Sequence, residues 1–298
     1  MSANTGSLKK ALTLFDKKQV FSYEKKMTWS GTLIGLSLLT LAFIVLCALF
    51  PQWIAPYSVT EMNPEAIMKP PSFSHILGTD QFGRDIFSLL VYGARQSLIT
   101  GLAAVLIAGV TGTIIGLVAG YTGGLFDVIC MRMMDIAMTI PNILLAIAIS
   151  SAMGASLVNI ILAISIAATP GYTRVIRSQV ISLKHRPFID ASQSIGTSHF
   201  EIVIRHILPN CLSPLIVMGT IGIGSSILIG TGLSFLGLGV VQEIPDWGYL
   251  LSQGRSYITV AWWIVAFPGF AITMLVVAVN LLGDALRNRL DPKQSRVS

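Results

Sequence analysis

Three ionisable residues stand within an apolar stretch of the sequence, residues 125–150, where charge is rare. They are Asp127, Arg132 and Asp135. If this stretch spans a membrane, charged side chains are costly to bury, so an ion pair, contact with a transported solute and a proton relay are the roles to consider. Arg132 and Asp135 are three residues apart and share one face of a helix, which favours a local ion pair between them. Asp127 would then be left to water or to a neighbouring helix.

A second set of candidates lies in the loops between apolar stretches. Thr79 and Asp80 are residue types that cap helices, and Arg84 and Asp85 follow as partners for ion pairs. We therefore expect Thr79 and Asp80 to cap a short external helix. A further role as an external gate, or as a contact for an external protein, is assigned to Asp80, Arg84, Asp85 and Trp247.

Residues that bind metals or phosphate do not cluster in the sequence. The three cysteines are far apart, and the four histidines lie outside the apolar stretches. The chain lacks the glycine-rich loop, ending in Gly-Lys-Ser/Thr, that binds nucleotide phosphates. The sequence therefore predicts no catalytic cluster, no metal site and no ATPase site in this chain.

The composition defines the surroundings of these residues. The chain has 298 residues, of which 53% are hydrophobic and 11% are charged, against about 25% charged residues in a typical soluble domain. A soluble protein of this length cannot hide so much apolar surface. The charged residues, with a net charge of +6, lie at the ends of apolar stretches, as in membrane proteins rather than nucleic-acid-binding proteins.

Apolar stretches long enough to cross a bilayer recur along the whole chain. A helix needs about 20 residues to span an apolar layer of about 30 Å. The sequence predicts an all-α, polytopic membrane protein with about six transmembrane helices, near residues 30–50, 96–119, 125–150, 157–177, 211–236 and 261–284.

The distribution of basic residues predicts the orientation. If the N-terminus is cytoplasmic, fifteen lysines and arginines fall on the cytoplasmic side and four on the external side, as the positive-inside rule requires. Both termini are then cytoplasmic. The chain divides into an N-terminal tail that is either an interfacial helix or solvated (1–29), the first transmembrane helix (30–50), an external loop (51–95), a five-helix core (96–285) with a cytoplasmic loop (178–209), and a C-terminal tail (286–298).

Small residues mark one packing face. Gly112, Gly116 and Gly120 are four residues apart, so they form one stripe on the second span. Such a stripe lets another helix approach closely.

The cytoplasmic loop has the residues of two short helices joined by a turn. Pro187 and Asp190 suit the first turn of a helix, and Gly196 permits a sharp change of direction. Pro209 is expected to end a second short helix before the chain re-enters the membrane. We interpret this loop as a lever, because a partner pressing on it would move the fourth and fifth spans together.

This loop resembles the EAA loop of binding-protein-dependent ABC importers. Asp190-Ala191-Ser192 stands for Glu-Ala-Ala, and Gly196, Leu208 and Pro209 follow at the offsets of that motif, while His206 departs from it. Three further segments resemble the C-type permeases of dipeptide, oligopeptide and nickel importers. They are residues 77–95, residues 235–248 and residues 280–293.

The resemblance implies the fold of a type I ABC importer and a set of partners. These are a second, homologous permease, one or two kinds of ABC ATPase that bind ATP and Mg, and an external solute-binding protein. The loop carrying Asp190, Ala191, Ser192, Gly196, Leu208 and Pro209 would seat in the ATPase and couple it to transport. The implied location is the cytoplasmic membrane of a bacterium or archaeon.

Several alternatives stay open at this stage. Short peptides are the favoured solute, and nickel or another metal chelate is the alternative within the same family. A proton-coupled secondary transporter would use Asp127 or Asp135 without ATP, and would show an inverted repeat with broken helices. A membrane-embedded enzyme would need a catalytic cluster that the sequence does not offer.

Overall fold

The computed structural model describes residues 31–239 and 244–290 of the chain, with side chains to residue 288. The predicted N-terminal interfacial helix and the end of the C-terminal tail lie outside the described residues. Within them, the backbone is helices and connecting segments, with one isolated bridge between Thr79 and Asp85.

The helices follow one another along the chain with short connections except before the second long helix. In chain order they are α1 (Gly31–Leu49), α2 (Pro51–Ile54), α3 (Ile86–Thr122), α4 (Gly124–Thr139), α5 (Asn142–Met153), α6 (Leu157–Lys184), α7 (Pro187–Ser194), α8 (His199–Ile202), α9 (Leu208–Phe235), α10 (Trp247–Gly254) and α11 (Trp263–Leu290). A π-helical turn, Val203–Ile207, joins α8 to α9.

Five of these helices are long and apolar enough to cross a membrane, and the pair α4 and α5 supplies a sixth crossing if it is counted as one span. This confirms the predicted all-α membrane fold. The third crossing differs in detail, because α4 and α5 meet at an angle of 93° where a continuous helix over 125–150 was predicted. Pro141 lies at this break and disfavours a helical conformation at the residue before it.

The second span is much longer than the predicted 96–119. It begins at Ile86, because the Asp85 carboxylate accepts the Ser88 N–H at 2.8 Å and caps the helix there. It ends at Thr122, and the residue that follows, Gly123, has a backbone φ of +67°. The first turns of α3 therefore belong to the segment that precedes the predicted span.

The glycine stripe of α3 packs against α6, as predicted from its spacing. A Cβ atom on Gly112 would lie 2.5 Å from Cβ of Tyr172, and one on Gly120 would lie 2.9 Å from Cβ of Val180. Only glycine allows the two backbones to come this close. The pair of α3 and α6 forms the centre around which the other spans are arranged.

Alanine at Gly116 should destabilise the protein. The added Cβ would lie 2.7 Å from the Thr173 carbonyl oxygen and 3.0 Å from Cβ of Ile176, and overpacking of this kind costs about 1–3 kcal/mol. The matched control is Gly171→Ala in α6, where nothing lies within 4 Å of the new Cβ. We expect the thermal unfolding temperature in detergent to fall for the first variant and to hold or rise for the second. Equal unfolding temperatures would contradict the close packing.

The short helix after Gly196 does not stop at Pro209, contrary to the sequence-based expectation. The chain continues from α8 through the π-helical turn into α9, and Pro209 lies in the first turn of α9. The Leu208 N–H bonds to the Val203 carbonyl, five residues back. Proline is tolerated in the first turn of a helix, where its missing N–H group would have no helical partner.

The bundle has two ends that carry different structures. The α7–α8 end holds the loop helices together with the C-terminal end of α3 and of α6. The α10 end holds residues 55–85 and α10, which pack around the start of α3 and of α11.

Candidate functional site

The first loop helix, α7, forms as its sequence predicts. Pro187 occupies its first turn with Asp190, and the helix ends at Ser194. Gly196 follows with φ of +86°. The Gly196 N–H bonds to the Gln193 carbonyl and the Thr197 N–H bonds to the Ser192 carbonyl, which is the hydrogen-bond pattern of a glycine-ended helix. The turn therefore depends on a left-handed residue at position 196.

The outer surface of the loop carries two large, exposed apolar side chains among polar ones. The side chains of Ile195 and Phe200 are 83% and 77% exposed, and Asp190 and Ala191 are exposed beside them. Large apolar side chains exposed on a loop are candidates for contact with another protein or a membrane.

The inner surface of the loop packs against the spans. Ile189, Ile202 and Ile207 are fully buried. They belong to a cluster with residues of α3, α6 and α9, namely Leu117, Ile176, Val180, Leu183 and Cys211. A displacement of the loop must therefore move the spans to which these side chains belong.

A polar contact ties the loop to α3 as well, which the sequence did not indicate. The Tyr121 hydroxyl lies 2.6 Å from Nδ1 of His199, and the Lys184 ammonium donates to the Tyr121 carbonyl at 2.6 Å. The lever predicted to act on the fourth and fifth spans thus also holds the second span.

The two acidic residues of α4, Asp127 and Asp135, find partners on α6 rather than on their own helix. Arg177 donates to both carboxylate oxygens of Asp127, with Nε at 3.0 Å from Oδ1. Arg174 forms an ion pair with Asp135. The predicted local pair of Arg132 and Asp135 is therefore wrong, because the antiparallel packing of α4 and α6 offers Asp135 a guanidinium from the neighbouring helix.

The two ion pairs differ in exposure. The side chains of Arg177 and Asp127 are 33% and 11% exposed, whereas those of Arg174 and Asp135 are 51% and 46% exposed. Arg132 is exposed and has no ion pair or hydrogen bond within the described part of the chain. The pair of Asp127 and Arg177, which lies nearer the α7–α8 end, holds α4 on α6. The pair of Asp135 and Arg174 is more exposed.

At the α10 end, the predicted gate residues form internal bonds. Asp80 accepts the N–H groups of Phe82 and Arg84 at 2.8 and 2.9 Å, and Nε of Arg84 at 2.8 Å. Asp85 caps α3 with one carboxylate oxygen and lies 3.0 Å from Nδ1 of His75 with the other. Asp80 therefore closes a turn, and the short helix that it was expected to cap is absent there.

Trp247 is also internal. Its side chain is 2% exposed, and its ring N–H donates to the Leu90 carbonyl at 2.9 Å. Asp80, Arg84 and Asp85 are likewise at most 7% exposed. In this conformation the four residues brace the α10 end, and an external protein would have to touch other side chains.

Asp246 joins the end of α9 to the start of α10. It caps α10 by accepting the Tyr249 N–H at 2.8 Å, and it accepts the Ser234 hydroxyl at 2.7 Å. Burial raises the pKa of the Asp246 carboxyl, and the hydrogen bonds from Ser234 and the backbone oppose this effect. Sequence reasoning overlooked this residue, although an Asp three residues before Tyr249 is an ordinary helix-cap signal.

No metal site is formed by the described residues. Within 31–239 and 244–290, no three side chains of His, Cys, Asp or Glu come close enough together to hold a metal ion.

The chain matches two known families over most of its length. Residues 112–296 match the binding-protein-dependent transport system inner membrane component, and residues 34–71 match the N-terminal TM domain of oligopeptide transport permease C.

Three similar proteins are named as permeases. The di/tripeptide transport system permease protein DppC of Pseudomonas aeruginosa is 41% identical, over 92% of this chain and 90% of its own. The dipeptide transport system permease protein DppC of Alkalihalophilus pseudofirmus is 45% identical, over 88% and 85%. The probable D,D-dipeptide transport system permease protein DdpC of Escherichia coli is 39% identical, over 93% and 94%.

The fold is similar to that of a solved transporter chain. A chain of the MetNI methionine ABC transporter, in an inward-facing conformation, superimposes with a TM-score of 0.52 at 20% identity, covering 68% of this chain and 96% of the other.

Proposed function

Because the chain belongs to the family of inner membrane components of binding-protein-dependent transport systems, we propose that it is a permease subunit that imports short peptides with energy from ATP. The protein is a multi-pass inner membrane protein of this family. The observation that carries the proposed mechanism is the α7–α8 loop, which exposes Ile195 and Phe200 on its outer surface and buries isoleucines on its inner surface. A permease that is moved by a separate ATPase subunit needs one surface that binds the ATPase and another that packs against its own spans.

The proposed orientation puts the α7–α8 end and both termini in the cytoplasm. Lys184, Arg186 and Arg205 lie at this end, and basic residues favour the cytoplasmic side. The residues 55–85 and α10 then face the outside, where a solute-binding protein delivers its ligand.

In the proposed mechanism, the loop receives force from an ATPase subunit. Ile195 and Phe200 dock on the ATPase, while ATP and Mg are bound by that partner and not by this chain. Closure of two ATPases brings the loops of this chain and of a second permease together. The spans follow, because Ile189 and Ile207 are buried against them.

Peptides are the proposed solute. The three relatives described above are named for di- or tripeptide transport, which favours peptides over nickel or another metal chelate. A proton-coupled secondary transporter, in which Asp127 or Asp135 relays protons, is disfavoured by the family and by the arginine partners of both carboxylates.

The proposal is tested by purifying the tagged chain from its native membrane in mild detergent and reconstituting what co-purifies into vesicles. We expect a second permease and one or two ATPases to accompany the chain. Dipeptide uptake should require ATP and the binding protein. A lone chain that transports without ATP would refute the proposal, and uptake of nickel in place of peptides would assign the other solute.

A further inference from the structure

The outer ion pair of α4 and α6 lies deep within the spans, yet it is exposed. Asp135 is eleven residues beyond Gly124, the start of α4, or about 16 Å along the helix axis. Arg174 is ten residues before Lys184, the end of α6, or about 15 Å. A charge at such a depth is unfavourable against lipid, so it faces protein or water.

The break between α4 and α5 indicates independently that this region faces protein or water. The main chain leaves the helical conformation at Ile140 and Pro141, where the helices turn by 93°. Residues 139–141 are exposed. The last turn of α4 leaves carbonyl groups without helical partners, and such backbone is tolerated at membrane depth only where it is buried in protein or lines a water-filled cavity.

A third observation concerns Arg132. This residue is three positions before Asp135 and on the same helical face. It is exposed, and no hydrogen bond or ion pair of its side chain occurs within the described residues. The surface formed by Arg132, Asp135, Arg174 and residues 139–141, here called the α4 polar face, therefore has one cation in excess and a helix end of partial negative charge.

We propose that the α4 polar face lines the solute pathway and binds the two charged ends of a peptide. Arg132 binds the C-terminal carboxylate, because a guanidinium matches a carboxylate with two parallel hydrogen bonds. Asp135 and the carbonyl end of α4 bind the N-terminal ammonium. This assignment rests on the proposed function, and it adds to it a binding site for zwitterionic peptides.

The dimensions agree with a short peptide. Arg132 and Asp135 are separated by about 4.5 Å of helix rise, and the arginine side chain extends this reach. Two residues of extended peptide span about 7 Å. The pair of Asp127 and Arg177, in contrast, is the less exposed one, and both carboxylate oxygens accept hydrogen bonds from one guanidinium, so it is assigned a structural role.

The first test measures whether the α4 polar face is accessible to water. Arg132→Cys and, as a control, Leu106→Cys are made in a chain with Cys130→Ala, because Cys130 is partly exposed on the same helix. Leu106 is 65% exposed on α3 without charged neighbours in sequence. In vesicles holding the whole importer, a hydrophilic thiol reagent should modify position 132 at least tenfold faster than position 106. Equal, slow modification would mean that lipid or a partner chain seals this surface, and would overturn the proposal.

The second test separates solute binding from structure. Arg132→Gln should lower dipeptide uptake about tenfold with the complex assembled, and Arg132→Lys should give an intermediate uptake, because it keeps the charge but not the paired hydrogen bonds. The exposed control Glu65→Gln should stay within about twofold of the parent. Normal uptake with glutamine at position 132 would overturn the proposal.

The ion pair can be reversed by combining Asp135→Arg with Arg174→Asp. The reversed pair can hold α4 on α6 as before but places a cation where the ammonium would bind. We expect the double variant to assemble but to take up little dipeptide. Uptake close to that of the parent would assign the pair a structural role only. If the parent vesicles take up no peptide with ATP and binding protein, the proposed function fails instead, and the accessibility of position 132 can still be measured.

Discussion

Valine at Gly196 should abolish ATP-driven uptake while the chain still inserts in the membrane. Gly196 has φ of +86°, a left-handed conformation that costs an ordinary residue about 1–2 kcal/mol, and a β-branched residue more. The loop would relieve this strain by turning differently after Ser194, which displaces Ile195 and Phe200 from the surface that is proposed to dock on the ATPase. Nothing lies within 4 Å of a Cβ at this position, so the effect comes from the backbone and not from a clash.

Asparagine at the same position is the matched control. Asparagine adopts the left-handed conformation more readily than other residues with a side chain, so Gly196→Asn should keep a large part of the uptake. The measurements are dipeptide uptake, ATP hydrolysis and the amount of ATPase that co-purifies, all per inserted permease. Normal uptake by the valine variant would remove the loop from the coupling mechanism.

Alanine at Asp80 should produce the largest loss of stability among the described side chains at the α10 end. Its carboxylate accepts three hydrogen bonds and pairs with Arg84, and the two side chains are 2% and 8% exposed. Removing one partner of a buried ion pair leaves an uncompensated charge and costs about 3–5 kcal/mol. The segment from Asn63 to Asp85 would then lose the turn that positions the start of α3.

The reaction of the two buried cysteines, Cys47 and Cys211, with a thiol-reactive dye during heating measures this loss, because they are 3% and 0% exposed in the folded protein. The chain should carry Cys130→Ala so that the partly exposed cysteine does not contribute. We expect Asp80→Ala to lower the unfolding temperature strongly and Glu65→Gln to leave it unchanged. Adding Arg84→Ala to Asp80→Ala should recover part of the loss. A double variant less stable than the single one would show that the buried charge of Arg84 is not the cause.

Local rules of sequence predicted the features that depend on neighbouring residues. Hydropathy predicted the spans, because lipid selects apolar helices of a defined length. The four-residue spacing of Gly112, Gly116 and Gly120 predicted a close helix contact. Pro187, Asp190 and Gly196 predicted the start and the end of α7, since each residue acts within one turn of its own position.

The same rules failed where a distant residue competes with a near one. Arg132 and Asp135 have ideal spacing for a pair on one helix, but Asp135 binds Arg174, which is 39 residues away, and Asp127 binds Arg177, which is 50 residues away. Trp247 was expected to act as an external gate or to contact an external protein, yet its side chain is buried and its ring N–H donates to Leu90, 157 residues earlier. Neither partner can be read from the sequence without knowing which helices are adjacent.

The sequence by itself determined that this chain is a membrane protein, roughly where its spans lie, and that a loop with short helices follows the fourth span, because these properties follow from composition and from residues within a turn of one another. Tertiary structure decided which charges lie in a largely buried helix contact and which are exposed. Antiparallel packing of α4 on α6 buries Asp127 with Arg177 and leaves Asp135, Arg174 and Arg132 on the exposed side of the same contact. The bend at Pro141 then brings a helix end to that surface, and its direction depends on the packing of α5 against α6 and α9.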